Sequence, residues 1–173
     1  MPRTMKSLVA LAALAALVPA TSPARNVGAP LAGTVAATTY SSSGAAHQAV
    51  DIDGGTCGST PITTGVTGSL AWNVVINTPN TLCNTAMTGP QNVAKHTFAD
   101  GFTFRLMDFN KTGQTYDRTC DRCNIGAAGD RGIPANSLHL QRDKAGTKDT
   151  SWYAGYSTVG EALSLGELIG VLD

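Results

Sequence analysis

The sequence lacks an apolar run long enough to cross a bilayer, which takes about 20 residues. Near the C-terminus, the apolar segment 163–172 is short and is interrupted by Gly166, Glu167 and Gly170. The other apolar run, residues 7–18, is also too short to span a membrane. The sequence therefore predicts no transmembrane helix.

The N-terminal apolar run has the pattern of a secretory signal peptide. Arg3 and Lys6 precede it, and small residues follow at Ala20 and Ala24, where a signal peptidase would cleave. Cleavage after Ala24 is preferred, which makes residues 1–24 the signal peptide; the alternative is an uncleaved anchor or a buried N-terminal helix. The remaining 149 residues (173 minus 24) suit one domain. We expect a secreted protein with no membrane attachment after cleavage.

Neither charge sign is in excess. The chain has 12 Lys and Arg residues against 12 Asp and Glu residues, and loss of Arg3 and Lys6 with the signal peptide leaves 10 against 12, a net charge of −2. Nucleic-acid-binding proteins normally present a basic surface. The composition therefore predicts no nucleic-acid partner.

Helical periodicity is missing before the C-terminus. From Ala49 onward, short apolar runs alternate with turn residues, and segments 72–76 and 101–109 carry β-branched and aromatic residues. This pattern predicts an all-β fold, a single antiparallel sheet or sandwich domain over residues 46–173. Residues 25–45, rich in Gly, Ala, Ser and Thr, are predicted to form a flexible leader into the fold that buries little, and edge-strand structure is the alternative.

One C-terminal segment departs from the strand pattern. Between Val159 and Leu172 the apolar residues recur at intervals of three to four, which is typical of an amphipathic helix. A short helix packed against the sheet is the first interpretation of this segment, and a strand is the alternative.

The four cysteines, an even number in an exported chain, favour disulfides and allow three connectivities. The preferred pairing is Cys57 with Cys83 and Cys120 with Cys123. The alternative for Cys120-Asp-Arg-Cys123 is half of a four-thiolate zinc site or a redox pair, but the chain has no second Cys-x-x-Cys.

Histidine is scarce, with three in the chain, and two lie in informative contexts. His47 and Asp51 are four residues apart where the chain enters a predicted strand, so one ion can contact both. Ser137, His139 and Gln141 alternate with apolar residues and should share one strand face. His139 can then supply a third ligand. Two imidazoles and one carboxylate with an open fourth position are typical of catalytic zinc.

Four segments carry a wider pattern over residues 36–142. They are His47-Gln-Ala-Val-Asp51; residues 59–70; His96 with Asp100-Gly101-Phe102; and residues 125–132 with Ser137-Leu138-His139-Leu140. The first is similar to a His-x-Gly-x-Asp motif, with Ala49 in place of its glycine, and the second to a Gly-Thr-Pro-Val strand with a glycine turn. The third is similar to a segment of His, a spacer and Gly-Tyr. The fourth is similar to a run of Ile-Gly, Gly-x-Thr-Gly and His-Leu-His-Phe. The chain thus resembles the lysostaphin-type (LytM-like) zinc metallopeptidases.

This resemblance implies the fold of those peptidases, a duplicated hybrid motif of β-strands. It also implies Zn²⁺ as the cofactor, with His47, Asp51 and His139 as its ligands. The implied activity is cleavage of peptide cross-links in peptidoglycan by an extracellular, cell-wall-directed monomer. His96 matches a histidine that lies outside the family's metal shell, so we expect a packing or hydrogen-bonding role for it.

The chain departs from the family at both helper histidines, which Asp108 and Ser137 replace. Those imidazoles act on the attacking water and on the developing oxyanion. Asp108 is therefore predicted as a weak base and Ser137 as a minor oxyanion donor. Asp108 has two further interpretations: it completes a closed structural site as a fourth ligand, or it points to solvent.

Two functions follow from these residues. The first is an exported zinc metalloendopeptidase that acts on peptidoglycan. The second is a catalytically inactive, metal-stabilised domain that binds peptidoglycan or a partner protein, which the loss of both helper histidines favours.

Overall fold

A computed structural model describes residues 23–39, 44–77, 92–129 and 137–172. Within these ranges the regular structure is β-strand and no helix occurs, which confirms the predicted all-β fold. The described strands are β1 (Arg25–Gly28), β2 (Gly33–Ala37), β3 (Val50–Asp53), β4 (Pro61–Thr63), β5 (Leu70–Val75), β6 (Val93–Thr97), β7 (Thr103–Met107), β8 (Phe109–Asn110), β9 (Tyr116–Cys120), β10 (Asn124–Ala128), β11 (Ser137–Lys144), β12 (Thr147–Asp149), β13 (Ala162–Leu163) and β14 (Leu168–Leu172).

The strands form one large sheet and two small ones, and all their pairings are antiparallel. The large sheet has the order β13-β2-β3-β11-β7-β6-β5-β9, and β12 also pairs with β11. The small sheets are β4-β10-β8 and β1-β14. The central position of β11, between β3 and β7, determines where the candidate site forms.

The core lies against one face of the large sheet because side chains alternate along its strands. Residues of β3, β7 and β11 on this face are buried, and residues of the small sheets complete the same cluster. Trp152 also joins the core, edge to face with Phe104 at 5.1 Å between ring centroids. The core-facing residues of the three central strands are Val50, Ile52, Phe104, Leu106, Leu138 and Leu140. The opposite face of these strands is left for polar side chains.

The structure corrects the prediction that residues 25–45 form a flexible leader that buries little, and it favours the strand alternative. Its first part forms β1 and β2, and Val27, Leu31 and Val35 are buried in the core. Composition failed here because small residues form strands when a neighbouring strand supplies the partner. For β1 that partner is β14, more than 130 residues away in sequence.

The structure also corrects the predicted C-terminal helix. Residues 159–172 contain β13 and β14 instead, as the alternative interpretation stated. A glycine with φ of 81°, Gly166, turns the chain between the two strands, a conformation that glycine adopts without steric cost. Pairing with β1 and burial of Ile169 and Leu172 then determine the strand.

The predicted disulfide between Cys120 and Cys123 is confirmed, and it closes the β9–β10 connection. Cys57 is disulfide-bonded as well. Its predicted partner, Cys83, lies outside the described residues. No helix in the described part of the chain has the length and apolar character needed to cross a membrane.

Candidate metal centre

Asp51 and His139 face each other on neighbouring strands. Asp51 in β3 is the register partner of His139 in β11, and both lie on the face opposite the core. Directly paired residues on one sheet face have Cβ atoms about 5 Å apart. The fold therefore brings together two side chains that are 88 residues apart in sequence.

His47 reaches the same position from the segment that precedes β3. Gln48 has a φ of 57°, in the left-handed region, so the chain turns sharply between His47 and the strand. The backbone N–H groups of His47 and Gln48 both donate to the Thr39 carbonyl, at 2.9 and 3.1 Å. The Lys148 ammonium donates to the His47 carbonyl at 2.6 Å. These bonds hold the His47 backbone beside β3.

The ligand atoms of the three residues form a close triangle. His139 Nδ1 lies 2.8 Å from Asp51 Oδ1 and 3.1 Å from His47 Nε2. His47 Nε2 lies 3.2 Å from Asp51 Oδ2. Among the described residues, this is the group of His, Cys, Asp and Glu side chains that can hold a metal ion. The side chains are 13 to 21% exposed, so solvent reaches the group without surrounding it.

The outer nitrogen of each imidazole has its own acceptor. His47 Nδ1 donates to the Thr38 carbonyl at 2.8 Å, because a carbonyl can only accept. His139 Nε2 contacts Gln141 Oε1 at 3.3 Å. A histidine whose outer N–H is engaged in this way presents the lone pair of its other nitrogen to a metal. Both imidazoles are therefore oriented as ligands.

The electrostatics of the group favour a bound cation. Burial raises the pKa of the Asp51 carboxyl, but hydrogen bonds from His139 and His47 outweigh burial and lower that pKa to about 2. The hydrogen bond to Asp51 also raises the pKa of His47 above its ordinary value. Asp51 consequently stays ionised well below neutral pH and supplies a negative charge to the group.

Asp108 lies at the break between β7 and β8, with a φ of 70° and 8% exposure. It does not point to solvent, and it is not a member of the metal-holding group within the described residues. The solvent-facing interpretation of Asp108 is therefore wrong, and its interpretation as a fourth ligand stays a prediction. Ser137 is the first residue of β11, and its backbone pairs with Asp53. The helper roles predicted for Asp108 and Ser137 stay predictions.

His96 lies away from the metal group, as expected. It belongs to β6, and its Nδ1 donates to the Ala71 carbonyl at 2.7 Å. Its ring also contacts Phe98 edge to face at 4.6 Å between centroids. The pocket of about 500 Å³ that His96 lines lies between β5, β6 and β9 and contains none of the three ligand residues. His96 therefore has a packing and hydrogen-bonding role.

Sequence reasoning missed the residues that support the ligands. Thr38 contributes only its backbone carbonyl, and Lys148 acts from β12, more than 100 residues from His47. Neither carries a sequence signal for this role. Gln141 did carry one, because strand alternation places it on the face of His139, two residues away.

No family model, curated protein or solved structure matches this chain. His47, Asp51 and His139 form a group that can hold a metal ion on the polar face of an antiparallel sheet.

Proposed function

We propose that the protein is a zinc-dependent peptidase that acts outside the cytoplasm on the cross-link peptides of peptidoglycan. The observation that carries this proposal is the convergence of two imidazole nitrogens and one carboxylate on one point, with three ligands from the described residues. Two histidines and a carboxylate with an open fourth position are typical of catalytic zinc sites, whereas structural zinc sites are closed by four ligands.

The distances in the group suit zinc. Zn–N bonds of 2.0 to 2.1 Å and tetrahedral angles require ligand atoms about 3.3 Å apart. The observed separations of 2.8 to 3.2 Å need only a small outward movement of the three side chains. Imidazole and carboxylate are also ligand types that zinc accepts readily.

Each residue of the group would have a defined task with the metal present. Zn²⁺ supplies Lewis-acid polarisation of a carbonyl and lowers the pKa of water. Asp51 would balance part of the positive charge, and His47 and His139 would hold the ion through nitrogens whose orientation Thr38 and Gln141 fix. Partial exposure of the three side chains gives a peptide access to the site.

The substrate class rests on sequence. The resemblance to lysostaphin-type peptidases over residues 36–142 implies peptidoglycan peptides, and the N-terminal pattern predicts export. The disulfide between Cys120 and Cys123 supports this location because structural disulfides persist in oxidising compartments.

A second candidate is a metal-stabilised domain that binds peptidoglycan or a partner protein without hydrolysis. One observation favours it: Asp108 and Ser137 stand where the family has its helper histidines. Without a base beside the metal, hydrolysis would lose a contribution of about 10²-fold to 10⁴-fold.

The two candidates separate in one experiment on the purified mature protein. Elemental analysis measures zinc content, and labelling of new amino termini measures cleavage of purified peptidoglycan with and without a chelator. We expect one zinc per chain and chelator-sensitive cleavage. Zinc without cleavage would favour the binding domain, and absence of zinc would contradict both candidates.

Zinc affinity is expected to weaken as pH falls, because protons compete for the histidine nitrogens. The pKa of His47 is raised by its hydrogen bond to Asp51, so protons compete at His47 at a higher pH than at an ordinary histidine. Asp51, with a pKa of about 2, adds no competition near neutrality. Each displaced proton weakens binding about tenfold per pH unit below the pKa concerned. Titration calorimetry between about pH 5 and pH 8 measures the slope. A flat profile would contradict histidine ligation.

A further inference from the structure

A row of hydrogen bonds extends from His139 to a charged pair two positions along the same sheet face. His139 Nε2 contacts Gln141 Oε1 at 3.3 Å, and Gln141 Nε2 donates to Asp143 Oδ2 at 3.0 Å. Arg105 donates two hydrogen bonds to Asp143, from Nε to Oδ2 at 2.7 Å and from Nη2 to Oδ1 at 3.1 Å. The row therefore connects a metal ligand to an ion pair.

Strand geometry explains why these four residues meet. His139, Gln141 and Asp143 occupy alternate positions of β11 and so share one face. Arg105 in β7 is the direct register partner of Gln141, and from there its side chain reaches Asp143 on the diagonal. Asp143 is 7% exposed and Arg105 is 36% exposed, so the carboxylate is largely shielded from water while the guanidinium remains at the edge.

The chemistry of the row allows only one direction of donation. Arginine can only donate, and an ionised carboxylate can only accept. Asp143 must therefore accept a hydrogen bond from the amide NH₂ of Gln141, and this orientation turns Gln141 Oε1 toward His139. An amide oxygen only accepts, so His139 Nε2 must carry the proton. Because Nε2 donates to Gln141, a bound ion can replace the proton at Nδ1, the atom that faces His47 and the acceptor-only carboxylate of Asp51.

We propose that Arg105, Asp143 and Gln141 are positioning residues that fix the tautomer and orientation of His139 for metal binding. This inference rests on the metal site of the proposed function and assigns roles to three residues outside the ligand set. Loss of an outer partner of a metal-binding histidine typically weakens metal affinity about 10-fold to 100-fold. Arg105, at the open end of the row, would transmit its effect only through Asp143 and Gln141.

The test compares variants that break the row at different points. Gln141→Leu removes the acceptor of His139, and Asp143→Asn removes the group that dictates the orientation of the Gln141 amide. Gln141→Glu keeps an acceptor for His139 and serves as the conservative variant. Asp149→Asn is the matched control, because Asp149 accepts from Arg142 at 2.8 Å in a partly buried pair that does not contact the metal group.

Two quantities are measured for each protein: the zinc dissociation constant and the tautomer of His139. Long-range ¹H–¹⁵N NMR of the zinc-loaded protein identifies which ring nitrogen carries the proton. Thermal unfolding checks that each variant is folded. If Gln141→Leu or Asp143→Asn does not fold, the comparison uses the other of these two variants.

The expected result is an Nε2-protonated His139 in the wild type, in Gln141→Glu and in Asp149→Asn. Gln141→Leu should give mixed tautomers and zinc affinity weakened about 10-fold to 100-fold, with a smaller change of the same kind in Asp143→Asn. Unchanged tautomer and affinity in Gln141→Leu would overturn the positioning role while leaving the zinc site intact. A wild type that binds no zinc would instead overturn the proposed function and the positioning role together.

Discussion

Replacement of His139 by alanine is expected to weaken zinc binding by more than about 100-fold. This loss is larger than the one expected when a residue that only hydrogen-bonds to a ligand is removed. His139 Nδ1 lies within 3.1 Å of both other ligand residues, so its loss leaves only His47 and Asp51 around the ion. Two ligands cannot enforce a tetrahedral site. Competition titration against a chromogenic zinc chelator measures the difference.

His96→Ala is the matched control for this prediction. It removes one of the three histidines of the chain, but His96 lies in β6 and contacts Ala71 and Phe98 rather than the metal group. Zinc affinity should be unchanged in this variant. Equal losses in the two variants would indicate that zinc binds histidine nonspecifically, and retention of tight binding in His139→Ala would remove His139 from the ligand set.

Zinc is expected to raise the thermal stability of the wild-type protein substantially. A ligand that binds only the folded state stabilises it by about 4 kcal/mol at a free concentration 1,000 times its dissociation constant. For a domain of this size, that corresponds to an increase in Tm of about 8 to 16 °C. The physical reason is that the ion would join β11, β3 and the segment before β3, which the unfolded chain cannot hold together.

Differential scanning calorimetry with zinc and with excess chelator measures this stabilisation. The His139→Ala protein provides the control, since its Tm should be nearly the same in both conditions. A wild-type Tm that does not respond to zinc would mean that the ion is not bound by the folded state. A response of equal size in His139→Ala would place the bound zinc at another site.

The strand regions of the central sheet were predictable because their signals are local. Alternation of apolar and polar residues around Asp51 and His139 sets which side chains share a face, and turn residues mark where strands end. The four-residue spacing of His47 and Asp51, together with the resemblance to lysostaphin-type peptidases, singled out the residues that the fold brings within 3.2 Å of one another.

The errors at the two ends of the domain have one cause. Residues 25–37 and 159–172 carry weak or misleading local patterns, and each becomes a strand by pairing with a distant partner. The apolar spacing of the C-terminal segment suits a helix in isolation. Pairing of β14 with β1 satisfies its backbone groups and buries Ile169 and Leu172, which decides the conformation.

The sequence by itself determined the all-β class, which depends on residue type and short-range spacing. It also singled out the three residues of the metal group, through the spacing of His47 and Asp51 and through the resemblance to lysostaphin-type peptidases. Only the tertiary structure decided which nitrogen of each imidazole faces the other two residues of the group, which residues hold those imidazoles, and where Asp108 lies. The first two depend on side-chain hydrogen bonds that the folded sheet creates. Gln141 donates to Asp143 within β11, and Arg105 of β7 fixes the direction of that bond by pairing with Asp143 across strands. The residues that make these contacts are 38 to 101 positions apart along the chain, so they meet only after the sheet has formed.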